Sequence, residues 1–325
     1  MQRRTALLSA GLGSMIGLSV SAQTARPEWP KKPLHIMVVY PAGGISDQIC
    51  RAMADRLSAL LGVAVLVENR AGAGGSVGMD ALAKAAPDGY TLAFSAISPL
   101  TLLPQLTPLS YDPAKDIAPI IGVMHTPTLL IGTPSFKGQH FKDIATFAHS
   151  NPGGLRWATS GFGTTGHMVL EQVRLATGAK IVHIPYKGGG QQLNDALSGH
   201  FELLSTNVGT AQLQYIQNNK FKPLAVGAPA RLNNLPQVAT FAELGYPKAN
   251  LTSVFGVFAP ARTPRSIIQR LNAELNKVLA SPDFRLQLLN IDNLPLGGTA
   301  EKLSELISKE TKDNEKTIRL TRVRE

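Results

Sequence analysis

The chain has 325 residues, a formal net charge of +10, 6% aromatic residues and one cysteine, Cys50. This length is enough for two packed cores. One cysteine excludes an internal disulfide, and sparse aromatics without a basic stripe argue against nucleic-acid stacking platforms. Much of the positive excess falls near the end, at Lys309, Lys312, Lys316, Arg319, Arg322 and Arg324. It reads as a solvated face or as attraction for anionic solutes.

Arg3 and Arg4 precede a weakly apolar run from Ala6 to Val20 that ends in Val20-Ser21-Ala22. This is the pattern of a signal peptide over residues 1–22, with cleavage expected after Ala22 and a periplasmic destination. The twin arginines leave two export routes open. No later run approaches the ~20 apolar residues that a membrane span needs.

Leu34 to Tyr40 is an apolar run of strand length. The loop Pro41-Ala42-Gly43-Gly44-Ile45-Ser46-Asp47 follows, then a helix with Ile49, Met53 and Leu57 on one face. Ser46 or Asp47 would cap this helix, and Cys50 falls on its apolar side. A second strand at Val65–Val67 leads into Arg70-Ala71-Gly72-Ala73-Gly74-Gly75-Ser76, an amphipathic helix and a third strand running to Ser95 and Ser98. Pro104, Pro108 and Pro113 mark an irregular connection. Ile117–Val123 and Thr128–Gly132 read as one strand interrupted at His125-Thr126-Pro127, as expected where the chain crosses between domains.

The theme then repeats. Leu155–Thr159 is a strand before the loop Ser160-Gly161-Phe162-Gly163-Thr164-Thr165-Gly166, and a helix begins near His167. Ile181–Ile184 precedes Pro185-Tyr186-Lys187-Gly188-Gly189-Gly190, and Phe201–Leu204 leads to Ser205-Thr206-Asn207. Val254-Phe255-Gly256 reads as the return crossing, and Thr263-Pro264 opens a long helix. Alternating strands and helices predict an α/β fold with mostly parallel sheets. Two crossings predict two domains: a discontinuous one over 29–124 and 254–325, and an inserted one over 125–253. Ligands of such sheets bind beyond the strand carboxyl ends, where all the glycine loops sit. Bare backbone N–H groups at helix starts make these loops anion sites without charged side chains.

Three motifs invite other readings. Gly161-x-Gly163-x-x-Gly166 has the dinucleotide spacing, but the position about 20 residues on reads Pro185-Tyr186-Lys187 rather than an acid, so no cofactor is expected. Gly74-Gly75-Ser76-Val77-Gly78 fits a nucleophile elbow and makes a secreted serine hydrolase using Ser76 the rival function. An elbow needs its strand directly before the serine, so a helix-capping role for Ser76 is the better reading. The histidines lack metal-ligand spacing. Asp47 is a helix cap or a ligand contact. Lys187 either attracts anions or is solvated.

Glu68-Asn69-Arg70-x-Gly72-Ala73-Gly74-Gly75 followed by Ala83-Lys84-Ala85-x-Pro87-Asp88-Gly89-Tyr90-Thr91-Leu92 closely resembles the solute receptors of tripartite tricarboxylate transporters, the Bug-type receptors. Pro41-Ala42-Gly43-Gly44 with Asp47, Ser160-x-x-Gly163 with His167, His183-x-Pro185-Tyr186-Lys187-Gly188-Gly189 and Phe258-Ala259-Pro260 match in the same order. The resemblance implies a two-domain, type II periplasmic-binding-protein fold with two hinge crossings. Such a fold closes on a small carboxylated solute, with delivery to a membrane permease and no chemistry on the ligand. A monomer is expected. Carried over loop by loop, the implied ligand-binding set is Ala42, Gly43, Gly44 and Asp47; Ala73 and Gly74; Ser95 and Ser98. The second domain would add Ser160, Thr164, Thr165, His167, Tyr186, Lys187, Thr206 and Asn207. Two departures stand out: Ile45 replaces a common third glycine, and Thr206 replaces an acid before Asn207.

Overall fold

The computed structural model describes residues 29–151 and 153–321. The expected signal peptide and its cleavage point lie outside the described residues. The first half opens with β1 (Leu34–Val38), α1 (Ile45–Leu61), β2 (Val65–Asn69), α2 (Ser76–Ala83) and β3 (Thr91–Ala96). β1 lies between β2 and β3 with all three parallel, so its apolar run is buried except at His35. α1 buries Ile49, Cys50, Met53 and Leu57 and stops at Gly62, which adopts the left-handed cap conformation at φ 70°.

Short helices α3 (Ser98–Thr101) and α4 (Pro113–Asp116) lead to β4 (Ile117–Gly132). The second half contains α5 (Asp143–Ser150), β5 (Leu155–Thr159), α6 (Thr165–Thr177), β6 (Ile181–Pro185), α7 (Gly189–Leu197), β7 (Leu203–Asn207), α8 (Thr210–Gln217) and β8 (Lys222–Gly227). The chain returns through β9 (Thr252–Pro260) and closes with α9 (Arg265–Ala280), α10 (Pro282–Leu289), β10 (Leu294–Pro295) and α11 (Ala300–Thr321).

Four expectations need correcting. The strand around His125-Thr126-Pro127 is not interrupted: β4 runs unbroken for 16 residues. Its N-terminal part pairs with β9, and Thr128–Gly132 lies between β7 and β8. Pro127 is tolerated at the changeover, where its carbonyl accepts the Val208 N–H at 3.0 Å. The sheets are also mixed rather than mostly parallel. β4 and β9 cross between the halves in opposite directions and pair antiparallel from Ile117↔Pro260 to Pro127↔Thr252. Each is then antiparallel to its neighbours β3, β7 and β8. Finally, α1 has Gly44 at its N-cap, and Asp47 acts from inside the first turn. α9 starts at Arg265 because Pro264 is still extended, with ψ 136°.

One apolar core draws on residues 34–124 and 254–303, around Phe94, Phe258 and Phe284. Two others draw on residues 129–249. Alternate residues of β4 feed these two: Leu130 enters one, Leu129 and Ile131 the other, as the two-residue period of a strand requires. The turn before β10 adds a polar tie. The Asp292 carboxylate accepts the backbone N–H groups of Asn233 and Asn234 at 2.9 and 3.3 Å and the Asn234 amide at 2.8 Å.

Candidate functional site

The carboxyl ends of β1, β3, β5, β6 and β7 lead into a cavity of about 60 Å³. By this measure one water needs roughly 10–15 Å³, so the space suits a small solute. α1 contributes Gly44, Ile45 and Ser46; α6 contributes Thr164, Thr165 and Gly166; α7 contributes Gly189. These are the first residues of helices of 17, 13 and 9 residues. Gln212 of α8 and Asn207 just ahead of it add amide groups. No lining side chain carries a formal charge. Unsatisfied N–H groups and positive helix ends from both halves thus supply the electrostatics.

The hydroxyl lining is fixed from behind. Trp157 Nε1 donates to Ser205 Oγ at 2.8 Å, and Gln192 Nε2 donates to the Ser205 carbonyl at 3.1 Å. Ser160 Oγ donates to Gln192 Oε1 at 3.2 Å, and Gln212 Nε2 donates to Thr206 Oγ1 at 3.1 Å. Ser253 Oγ of β9 donates to Asn207 Oδ1 at 2.9 Å. Burial pushes the Tyr40 phenol up to about 12, against the pull of nearby Ser95 and Ser98 and the Ala96 backbone. Tyr40 therefore faces the cavity as a neutral hydrogen-bonding group.

Of the residues singled out from the sequence, Gly44, Ser98, Ser160, Thr164, Thr165, Thr206 and Asn207 line this cavity. The others stand around it in different roles. Asp47 is buried behind the first loop, where its carboxylate accepts the Gly43 N–H at 3.0 Å, Arg51 Nε at 3.0 Å and Asn69 Nδ2 at 2.9 Å. Burial alone would raise this carboxyl, but those donors hold it below the usual carboxylate range. Ser95 Oγ donates to the Ala96 carbonyl at 2.7 Å. Tyr186 donates to Asp195 Oδ2 at 2.6 Å. Lys187 is exposed. Ser76 Oγ donates to the Ala73 carbonyl at 3.0 Å, and none of its hydrogen bonds among the described residues involves a histidine or a carboxylate.

The glycine loops also meet one another. A Cβ built on Gly74 (φ +64°) would lie 2.4 Å from the Phe162 carbonyl oxygen, across the boundary between the halves. One on Gly188 would lie 2.2 Å from Pro41 Cδ, and one on Gly190 would lie 2.8 Å from the Ala42 carbonyl. The loops approach one another more closely than a Cβ at these glycines would allow. Sequence reasoning missed Tyr40, Gln212, Ser253 and Phe255 in the lining. The glycine before α8, Gly209, was a signal for Gln212. Ser253 and Phe255 sit on a strand that reads simply as a crossing.

Helix starts from two halves, joined by two antiparallel strands around one uncharged cavity, define a solute-binding protein of the periplasmic-binding-protein type. The chain belongs to the tripartite tricarboxylate transporter receptor family, whose model matches residues 49–322. Members of this family are solute-binding receptors rather than enzymes. The protein BugT of Bordetella pertussis is 36% identical over 277 residues, covering 84% of this chain and 85% of BugT. The periplasmic binding protein BugD superposes with a TM-score of 0.86 at 27% identity, over 91% of this chain and 99% of BugD. An R. palustris protein solved with adipate superposes with a TM-score of 0.84 at 30% identity, over 90% and 98% of the two chains.

Proposed function

We propose that this chain is a periplasmic receptor that captures a small carboxylated solute in the cavity and delivers it to a membrane permease of the tripartite tricarboxylate type. The observation that carries the reading is the convergence of helix starts from both halves on a cavity without a charged side chain. Such a site stabilises an anion through backbone N–H groups and hydroxyls and performs no chemistry on it. The halves 29–124 with 254–325 and 125–253 then act as two domains that separate to admit the solute and close to hold it. The protein works as a monomer after removal of residues 1–22, and among the described residues no helix is long and apolar enough to cross a membrane.

The magnitudes agree. Micromolar affinity requires about 8 kcal/mol. Hydrogen bonds to a charged group contribute roughly 1.5–3 kcal/mol each, and each helix start adds about 0.3–1 kcal/mol. Four or so such contacts reach that value after ordering costs. A mono-, di- and tricarboxylate panel that includes aromatic acids and adipate, the ligand of one relative, tests the reading by thermal shift. At a hundredfold excess over Kd a bound solute adds about 2.7 kcal/mol of stability, which is visible as a raised Tm. A flat response across the panel, or turnover of a generic ester lost in Ser76→Ala, overturns the reading.

A further inference from the structure

Beside the loop Ser160–Thr164 lies a pair of imidazoles, one buried and one partly buried, that no step of solute capture has yet used. The His167 and His183 rings stack with centroids 4.2 Å apart and planes 8° from parallel. Phe162 covers the other ring neighbour position of His167 at 4.9 Å. His167 Nδ1 accepts the Gly163 N–H at 3.2 Å, and its Nε2 faces Glu171 Oε1 at 3.5 Å. Glu171 is in turn ion-paired with Arg174. His183 Nε2 lies 2.7 Å from Thr159 Oγ1, which accepts the Gly161 N–H at 3.2 Å. Thr164 Oγ1 donates to the Gly161 carbonyl at 2.8 Å.

This network sorts the backbone donors of the loop. Two of them, from Gly161 and Gly163, are consumed inside the protein by Thr159 and His167. Thr165 and Gly166, at the start of α6, stay on the cavity wall. Accepting the Gly163 N–H requires a lone pair on Nδ1, so the His167 proton sits on Nε2, toward Glu171. Phe162, carried on the same loop, presents the carbonyl that meets Gly74 of the other half.

We infer that His167 and His183 are positioning residues for solute capture: the stacked pair holds the Gly161–Gly163 backbone so that the α6 donors face the cavity, and removing the His167 acceptor loosens the loop and weakens solute retention. The retention half of this inference rests on the cavity being the carboxylate site. Without the Nδ1 acceptor the Gly163 N–H loses its partner inside the protein, and with it the tie between the loop and the stacked rings. The charged and titratable groups around the pair are Glu171 and Arg174, both on α6. Burial, together with His167 and Arg174, holds His183 down to about 3, so its ring is neutral at physiological pH.

NMR on the mature, uniformly 15N-labelled protein without added solute tests the positioning. The expected results are a His167 ring with its proton on Nε2, and a Gly163 amide whose exchange protection falls about tenfold or more in His167→Gln. His167→Asn, whose Oδ1 takes the place of Nδ1, should keep most of that protection. A proton on Nδ1 in the wild-type protein, or Gly163 protection equal in wild type and His167→Gln, overturns the inference. The ring measurement needs no variant, so a variant that fails to fold leaves the question decidable. For a solute that raises Tm in the carboxylate panel, Kd should rise about tenfold in His167→Gln and by less in His167→Asn. An unchanged Kd in His167→Gln overturns the retention half. A panel without any binding solute overturns the carboxylate reading, while the ring and amide results still decide the positioning.

Discussion

Gly74→Ala separates two reasons for a glycine at the contact with Phe162. The added methyl must adopt φ +64° and would approach the Phe162 carbonyl oxygen to 2.4 Å, where 3.0 Å is the practical floor. The left-handed strain, about 1–2 kcal/mol, is present whether or not the loops meet, so it lowers unfolding stability without touching affinity. The overlap with Phe162 exists only when the loops meet. Relieving it requires the backbones to part by about 0.6 Å or more, and overpacking of this kind costs about 1–3 kcal/mol. The closed population falls accordingly, and apparent Kd rises by roughly five- to a hundredfold. Gly43→Ala is the matched control: it carries the same kind of strain at φ +82°, and its Cβ would have no neighbour within 4 Å. Calorimetry with a solute from the carboxylate panel should show Gly43→Ala within about threefold of wild type, and small-angle scattering of liganded Gly74→Ala should give the larger radius of gyration. Equal losses in the two variants, or unchanged binding in Gly74→Ala, would refute the cross-cavity contact as the reason for the glycine.

Three other outcomes are expected. Asp47→Ala removes the acceptor shared by Gly43, Arg51 and Asn69 and should lower stability near pH 7 by about 1–3 kcal/mol. The folded pKa of Asp47 is lowered, so its contribution is full above the unfolded value and disappears as pH falls through the folded one, and urea titrations of the two proteins should converge in acid. Glu310 has the opposite sign: burial raises it from 4.5 to about 7, opposed by Thr101. The folded state therefore loses stability as pH rises between those values. Glu310→Gln should gain about 2 kcal/mol at pH ~8, short of the ~3 kcal/mol that the full shift implies because the side chain keeps some solvent contact. Lys187→Ala should change Kd by less than about twofold and slow association at low salt, measured by stopped flow, because its charge is exposed and screened.

Strands, helices and the four glycine loops were legible in the sequence because their signals are local. An apolar run, a helical stripe and a cluster of glycines each lie within one short window. The course of β4 was not, since Pro127 reads locally as a break while its missing N–H costs nothing where the strand exchanges β9 for β7 and β8. The same limit applies to Asp47, legible as a charged group at a helix start but not as the acceptor that ties Asn69 to the first loop.

The glycines teach the sharper lesson. A glycine in a loop announces that something comes close, and an anion at a helix start is the nearest physical candidate. For Gly74, Gly188 and Gly190 the near neighbour is instead the opposite half of the protein, at Phe162, Pro41 and Ala42, which lie 88, 147 and 148 residues away. Closure and anion capture draw on the same residue type for different reasons. In the proposed receptor the helix starts supply donors that need no side chain, and the bare loops let the two halves come into contact. A receptor that must both release its solute and hold it without a salt bridge needs both properties, because each weak contact counts only when water is kept out. In this chain the side chains that line the cavity come partly from the loops and strand ends, as with Ser160, Thr164, Thr165 and Thr206, and partly from Tyr40, Gln212, Ser253 and Phe255, which carry no motif. Under the proposed function, part of what distinguishes one solute from another is therefore written in residues that pattern reading does not reach.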